Sequence, residues 1–189
     1  MAIWITSDWH FNHRKKFCYA ARGYGTVEQM NEDIVLKHNS VVAPDDDVYV
    51  LGDCFMGSDK DSGKAWIEKM NGKIHIVRGN HCTDSKVEAY KTCANVVEIC
   101  GWAEMLKYKK YSFLLSHHPT LTSNMDEDKP IKARIINLCG HYHTTDKFVD
   151  MHNGLCYHVE MDAHDCMPCL LDNIIEEIKT YVASNSNNV

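Results

Sequence analysis

Asp47-Val48-Tyr49-Val50-Leu51-Gly52-Asp53 holds four apolar residues in succession, fenced by Asp45-Asp46-Asp47 on one side and Gly52 on the other. Three of the four are β-branched or aromatic. A run this short without polar alternation predicts a central strand covered on both faces, as in a parallel sheet. Gly52 turns the chain sharply, and Asp53 follows just past the strand's carboxyl end. In open α/β sheets that edge is where ligands bind, which makes Asp53 the natural hub.

Similar runs deliver polar residues to similar positions. Ile3-Trp4-Ile5-Thr6 leads to Ser7-Asp8-Trp9-His10, and Ile74-His75-Ile76-Val77 leads to Arg78-Gly79-Asn80-His81. Tyr111 to Leu115 ends at Ser116-His117-His118-Pro119, and Ile135 to Leu138 ends at Gly140-His141-Tyr142-His143. Histidine is the compositional outlier, with 12 in 189 residues. Strand surfaces and caps account for some of them, but not for the grouping at strand ends.

Between the strands, Thr26 with Gln29 forms a capping-box pattern that predicts a helix with a Val27, Met30, Ile34 and Val35 stripe. A second helix is expected over Gly63 to Met70, stopped by Asn71-Gly72, and a third from Ser85 to Thr92. Val96 to Ile99, Glu104 to Tyr108 and Tyr111 to Leu115 are strand-like, with Lys109-Lys110 as a hairpin turn. Residues 120 to 133 are polar and predict a surface loop with a helical turn. A further hairpin is expected, Lys147 to Asp150 with Leu155 to Met161, turning at His152-Asn153-Gly154. Leu170, Leu171, Ile174, Ile175, Ile178, Tyr181 and Val182 form a terminal helical stripe. No repeat or linker interrupts the pattern, so one domain over residues 1–183 is expected, with residues 184–189 a frayed tail.

A hydrophobic content of 44% and a charged content of 24% are those of an ordinary globular protein. No apolar run approaches the roughly 20 residues of a membrane span, and Met1-Ala2-Ile3-Trp4 carries no basic leader. Nine cysteines without a secretory signal predict reduced thiols and a cytoplasmic location. A net charge of −6 argues against docking along nucleic acid, which needs an extended basic surface. It leaves room for a small phosphorylated ligand bound through metals.

Asp8, His10, Asp53, Asn80, His117, His141 and His143 mix carboxylate, amide oxygen and imidazole. Such a set suits Mn, Fe, Ni or Zn rather than a thiolate zinc site or an all-oxygen calcium site. Seven ligands are too many for one ion, and with one carboxylate bridging they fill two positions. In Asp8-x-His10 and His141-x-His143, alternate residues face one cavity if the backbone is extended.

Asp8-Trp9-His10, Gly52-Asp53, Gly79-Asn80-His81, His117-His118-Pro119 and Gly140-His141-Tyr142-His143 together resemble, in order and spacing, the calcineurin-like metallophosphoesterases. Ser7 to His13 is similar to the small bacterial and phage-type phosphohydrolases of that family. The resemblance spans residues 5 to 143. It implies an α/β (α+β) four-layer sandwich, two packed mixed β-sheets flanked by helices, with metals at the sheet ends. It also implies one cation on Asp8, His10, Asp53 and His143, and a second on Asp53, Asn80, His117 and His141. Two such ions, roughly 3.5–4 Å apart, ionise a bridging water and clamp phosphate oxygens. His81 matches the family histidine that meets the phosphate, and the resemblance makes it catalytic together with Asp53. The residue after His81 is usually acidic in the family and here is Cys82. Another group must then orient His81, and Asp84 is near enough in sequence.

The bland alternatives are specific. Asn12 and His13 either reach the phosphate or cap local turns. His118 is expected to point away from its metal-facing neighbour, Arg78 to pair with an acid, and Arg14-Lys15-Lys16 to be a solvated face. Cys166-Met167-Pro168-Cys169 has no second pair and no thioredoxin-like helix, so it is expected to be structural. Cys54 and Cys82 adjoin site residues and are expected to confer sensitivity to oxidation or soft metals. Taken together, the sequence predicts a dinuclear metal-dependent phosphoesterase, preferring phosphodiesters, with manganese the leading metal and a small, nucleotide-like substrate. The rival expectation is a metal-pinned protein-binding scaffold of the same fold. Neither oligomeric state nor natural substrate is written in the sequence.

Overall fold

The computed structural model describes residues 1–120, 129–148 and 155–185. Its first sheet has the order β4-β3-β2-β1-β9: β1 (Ile3–Thr6), β2 (Asp47–Leu51), β3 (Lys73–Val77), β4 (Val96–Ile99) and β9 (Cys169–Leu170). The first four are parallel, and β9 joins β1 antiparallel. The second sheet has the order β5-β6-β7-β8: β5 (Ala103–Tyr108), β6 (Tyr111–Ser116), β7 (Ile135–Cys139) and β8 (Cys156–His158). Here β5 and β6 form a hairpin, while β6, β7 and β8 run parallel. Both sheets are therefore mixed.

β2 behaves as its sequence predicts. Val48 and Val50 point to one face, where they meet Ile74 and Ile76 of β3 and the stripe Val27, Met30 and Ile34 of α2 (Val27–Val41). Leu51 and Val77 point to the other, where they meet Phe113 and Leu115 of β6 and Ile136 and Leu138 of β7. Ile174, Ile175 and Ile178 of the terminal helix α5 (Leu171–Asn185) close that second core. Two-sided burial is why the strand tolerates no polar alternation.

The helices follow local signals. Thr26 accepts a hydrogen bond from the Gln29 N–H, the predicted cap. α3 runs Lys60–Ile67, three residues ahead of the expected start, because Asp59 caps it through the Ser62 N–H. α4 covers Asp84–Tyr90, and α1 is one turn, Lys16–Tyr19. At the β5–β6 hairpin, Lys109 and Lys110 both have positive φ, as a two-residue turn requires.

Other expectations needed correction. The strand expected over Leu155 to Met161 is only three residues long, and Met161–Ala163 is a 3-10 turn. The proposed turn at His152-Asn153-Gly154 lies outside the described residues; of that hairpin, the His158 N–H bonds the Lys147 carbonyl. In the loop of residues 120 to 133, Ile131–Ala133 supplies the helical turn, while 121–128 lie outside the described residues. The terminal helix runs to Asn185, and residues 186–189 of the expected tail lie outside the described residues. Among the described residues no helix is long and apolar enough to cross a membrane.

Parallel pairing positions the site. Thr6 pairs with Val50 and Leu51 with Val77, so β1, β2 and β3 end level with one another. Leu115 pairs with Leu138, so β6 and β7 also end together. Five loops consequently leave the two sheets where they meet.

Candidate metal centre

The loops after β1, β2 and β7 carry residues in the left-handed region. Asp8 (φ 59°), His10 (51°), Asp53 (52°), His141 (78°) and His143 (52°) all lie there, as does Asn12 (65°). This corrects the expectation of extended backbone. Alternate residues share a cavity because every second one is turned left-handed. Such conformations cost on the order of 1–3 kcal/mol each in non-glycine residues and collect at functional sites. Gly52 (φ 91°) is left-handed as well; a Cβ there would stand 2.7 Å from the Gly79 backbone and 2.8 Å from His117 Nδ1.

Two clusters of ligand atoms result. In the first, His10 Nε2 is 3.0 Å from His143 Nε2 and 3.4 Å from Asp8 Oδ1. In the second, His117 Nε2 lies 2.7 Å from Asn80 Oδ1 and 3.2 Å from His141 Nδ1, which is itself 3.2 Å from Asn80 Oδ1. Asp53 lies between them. Its Oδ2 is 3.9 Å from His10 Nε2 and 3.5 Å from His117 Nε2, while its Oδ1 accepts the His81 N–H at 3.0 Å. All seven sequence-predicted ligands are thus brought together.

The donor set fits cations. His143 Nδ1 is bound to Asp162 Oδ2 at 2.9 Å, and His117 Nδ1 to the Leu51 carbonyl at 2.7 Å. Each ring's other nitrogen therefore turns a lone pair inward, the arrangement typical of metal-binding histidines. Asp8 Oδ2 accepts from the Ser7 hydroxyl and the His141 N–H, but Asp8 Oδ1 is buried without a hydrogen-bond partner. An orphaned carboxylate oxygen facing imidazole lone pairs is costly unless positive charge sits between them. Burial would raise the Asp8 pKa, yet His10, His117 and His143 hold it well below the usual carboxylate range. Burial also lowers the pKa of His10, favouring the neutral imidazole that a metal needs.

A supporting layer escaped the sequence reading. Arg22, its side chain almost fully buried, grips Asp162 through Nε at 3.1 Å and Nη2 at 2.7 Å, and bonds the Asp8 carbonyl at 2.9 Å. Arg22 and Asp162 therefore fix His143 and the Asp8 loop together. Asp162 holds its carboxyl down at about 2, since its bonds to His143 and Arg22 outweigh the effect of burial. Neither residue stands in a motif and 140 positions separate them, so no local signal marks the pair. The one available clue is general: a ligand histidine needs an acceptor for its second nitrogen.

The remaining predicted residues divide. His81 is partly exposed, with Nε2 4.0 Å from Asp53 Oδ2 and its ring centre 6.0 Å from that of His10. Asp84 does not orient it; that carboxylate pairs with Arg78 at 2.7 Å, which meets the expectation for Arg78. The Asn12 amide is engaged by Asn31, Ser62 and Trp66, tying its loop to α2 and α3. His13 is buried between the His10 and Phe17 rings, and burial pushes its pKa down to about 4. His118 does not turn away: its ring lies 4.1 Å from that of His141, on the exposed side of the second cluster. Cys54 and Cys82 are buried, with thiol pKa values raised chiefly by burial, which opposes the expected reactivity. Cys166 and Cys169 are likewise buried with raised pKa values, and Cys169 belongs to β9, a structural role.

The model of the calcineurin-like phosphoesterase family matches residues 1–187 of the chain. An uncharacterised protein of Methanocaldococcus jannaschii is 31% identical over 142 residues, covering 75% of this chain and 69% of its own length. The gene 66 protein of Mycobacterium phage L5 is 29% identical over 160 residues, covering 75% of this chain and 77% of its own. A solved structure of a protein of unknown function from Aquifex aeolicus shares the fold, with a TM-score of 0.71 over 93% of this chain and 98% of that one, at 21% identity.

Proposed function

Because the chain belongs to the calcineurin-like phosphoesterase family, we propose that it is a dinuclear metal-dependent hydrolase of small phosphate esters, favouring diesters. Asp8, His10, Asp53 and His143 would hold one divalent cation, and Asp53, Asn80, His117 and His141 the other. The observation that carries this is Asp53 Oδ2, within 3.9 Å of His10 Nε2 and 3.5 Å of His117 Nε2, a carboxylate oxygen common to both clusters. When bound, two such cations supply Lewis acidity, lowering the pKa of water and neutralising charge on the phosphate. Manganese suits the mixed oxygen and imidazole set, as do iron, nickel and zinc.

The protein's own groups do the rest. Asp162 and the Leu51 carbonyl fix the His143 and His117 tautomers, so no reorganisation is needed when a substrate arrives. His81, partly open to solvent at the edge of Asp53, is the group able to give a proton to a departing ester oxygen. The Asp53 bond to the His81 N–H holds the backbone of that residue, supplying part of the restraint that an acid at position 82 would give. A net charge of −6 favours a small substrate drawn by the cations over a long nucleic acid.

The test is release of nitrophenol from bis(4-nitrophenyl) phosphate and from 4-nitrophenyl phosphate, with Mn, Mg, Ni and Zn supplied in turn. The diester is expected to turn over faster. Asp53→Ala is expected to abolish turnover and His81→Ala to reduce it by about 10²–10⁴-fold, the usual worth of a proton donor. Absence of turnover with every ion would overturn the proposal.

A further inference from the structure

Beside His81 the surface opens into a cleft of about 480 Å³, bounded by the loop of residues 12–17 and by residues 56–62. It adjoins the site just described: His13 and His81 both line it, and each ring lies edge-to-face with that of His10. Its outer wall is Phe17, 65% exposed and held edge-on to His13 at 5.1 Å. Phe17 thus gives the cleft an open aromatic surface on which a flat ring can stack. Met56 lines the cleft with it, and Ser58, Asp59 and Ser62 add hydroxyl and carboxylate groups to the lining. Arg14 and Lys15 also line it.

The volume lies within the roughly 300–1,000 Å³ of small-ligand sites. Two apolar side chains are too few for an acyl chain, and a flat ring needs no more than the face of Phe17 and the edge of Met56. The hydroxyl and carboxylate groups match a sugar, and the two cations proposed above would match an anionic ligand. Resting on the phosphoesterase reading above, we infer that this cleft seats a nucleoside, the arm that leaves when a nucleotide phosphodiester is cut. The position of His81 fixes which arm it is. The phosphorus–oxygen bond beside His81 breaks, water's oxygen bonds to phosphorus, and the nucleoside oxygen takes the proton and departs as an alcohol. The other product is a phosphomonoester.

Two measurements on the metal-loaded protein test this. Adenosine binding is followed by ligand-observed NMR, and kcat/KM is compared for adenylyl-(3′→5′)-adenosine and for the methyl ester of adenosine 3′-phosphate, whose leaving group is methanol. The dinucleoside is expected to be favoured by at least about tenfold, the scale of one base–aromatic stack. Phe17→Ala, at an exposed position, is expected to weaken adenosine binding and to shrink that preference by a similar factor. Asp59→Asn, which keeps the α3 cap, is expected to weaken adenosine more than 2′,3′-dideoxyadenosine. No adenosine binding, or equal use of both esters and indifference to Phe17→Ala, would overturn the inference while leaving the esterase reading intact. Phe17-dependent adenosine binding without hydrolysis of either ester would uphold the cleft and sink the esterase reading.

Discussion

Gly52→Ala separates two costs that usually arrive together. At φ 91° any side chain carries a conformational cost of roughly 1–2 kcal/mol. The added Cβ would also stand 2.7 Å from both Cα and N of Gly79 and 2.8 Å from His117 Nδ1. The Gly79 atoms are backbone and His117 is pinned at the Leu51 carbonyl, so neither yields cheaply. Overpacking of this kind adds about 1–3 kcal/mol, for a total of roughly 2–5 kcal/mol. Gly23 supplies the control, with φ 84° and nothing within 4 Å of the position a Cβ would take; Gly23→Ala should cost the conformational part alone. Urea denaturation of both variants gives the difference directly, and an isotherm against a divalent cation reads the site. Gly52→Ala is expected to lose the steric increment in stability and, by displacing His117, about 10–100-fold in affinity at the second cluster. Equal stability of the two variants, with cation affinity unchanged, would refute the claim that Gly52 spaces the β2 and β3 loops around His117.

Asp162→Ala strands the buried Arg22 guanidinium and frees His143 Nδ1, so a loss of about 3–5 kcal/mol and 10–100-fold weaker binding at one cation position are expected by calorimetric titration; two unchanged binding steps would count against the supporting role. His38 is buried and its pKa is pushed down to about 4. A depressed histidine contributes stability that is complete above its unfolded value of 6.5 and is lost as pH falls toward 4. Over that window wild type should lose about 3 kcal/mol more than His38→Gln, and parallel urea midpoints for the two from pH 7 to pH 4 would exclude the effect. Chelation should lower the thermal midpoint and re-addition of cation restore it, with about 2.7 kcal/mol of stabilisation at 100 times Kd; a midpoint indifferent to chelator would mean the clusters hold no cation.

Much of this protein was written locally. The buried strands β1, β2 and β3 were legible because residues such as Val48, Val50, Ile74 and Ile76 must be apolar on two faces, and short unbroken runs report that directly. The positions of Asp8, Asp53, Asn80, His117, His141 and His143 followed, since each comes immediately after such a run. What the tertiary structure decided was partnership. Arg22 meets Asp162 and Asp8, Asp84 turns to Arg78 instead of His81, His118 leans on His141, and Phe17 stands bare beside a cleft. None of these has a period or a fixed spacing, because polar contacts between loops depend on where the sheets bring the chain, not on the residues next door. The left-handed turns at Asp8, His10, His141 and His143 belong to the same class: their backbone cost is met by contacts from distant strands. Sequence determined which residues leave the sheets at one edge, through burial that every short segment must satisfy alone. Only the assembled sheets determined which of those residues hold one another in place.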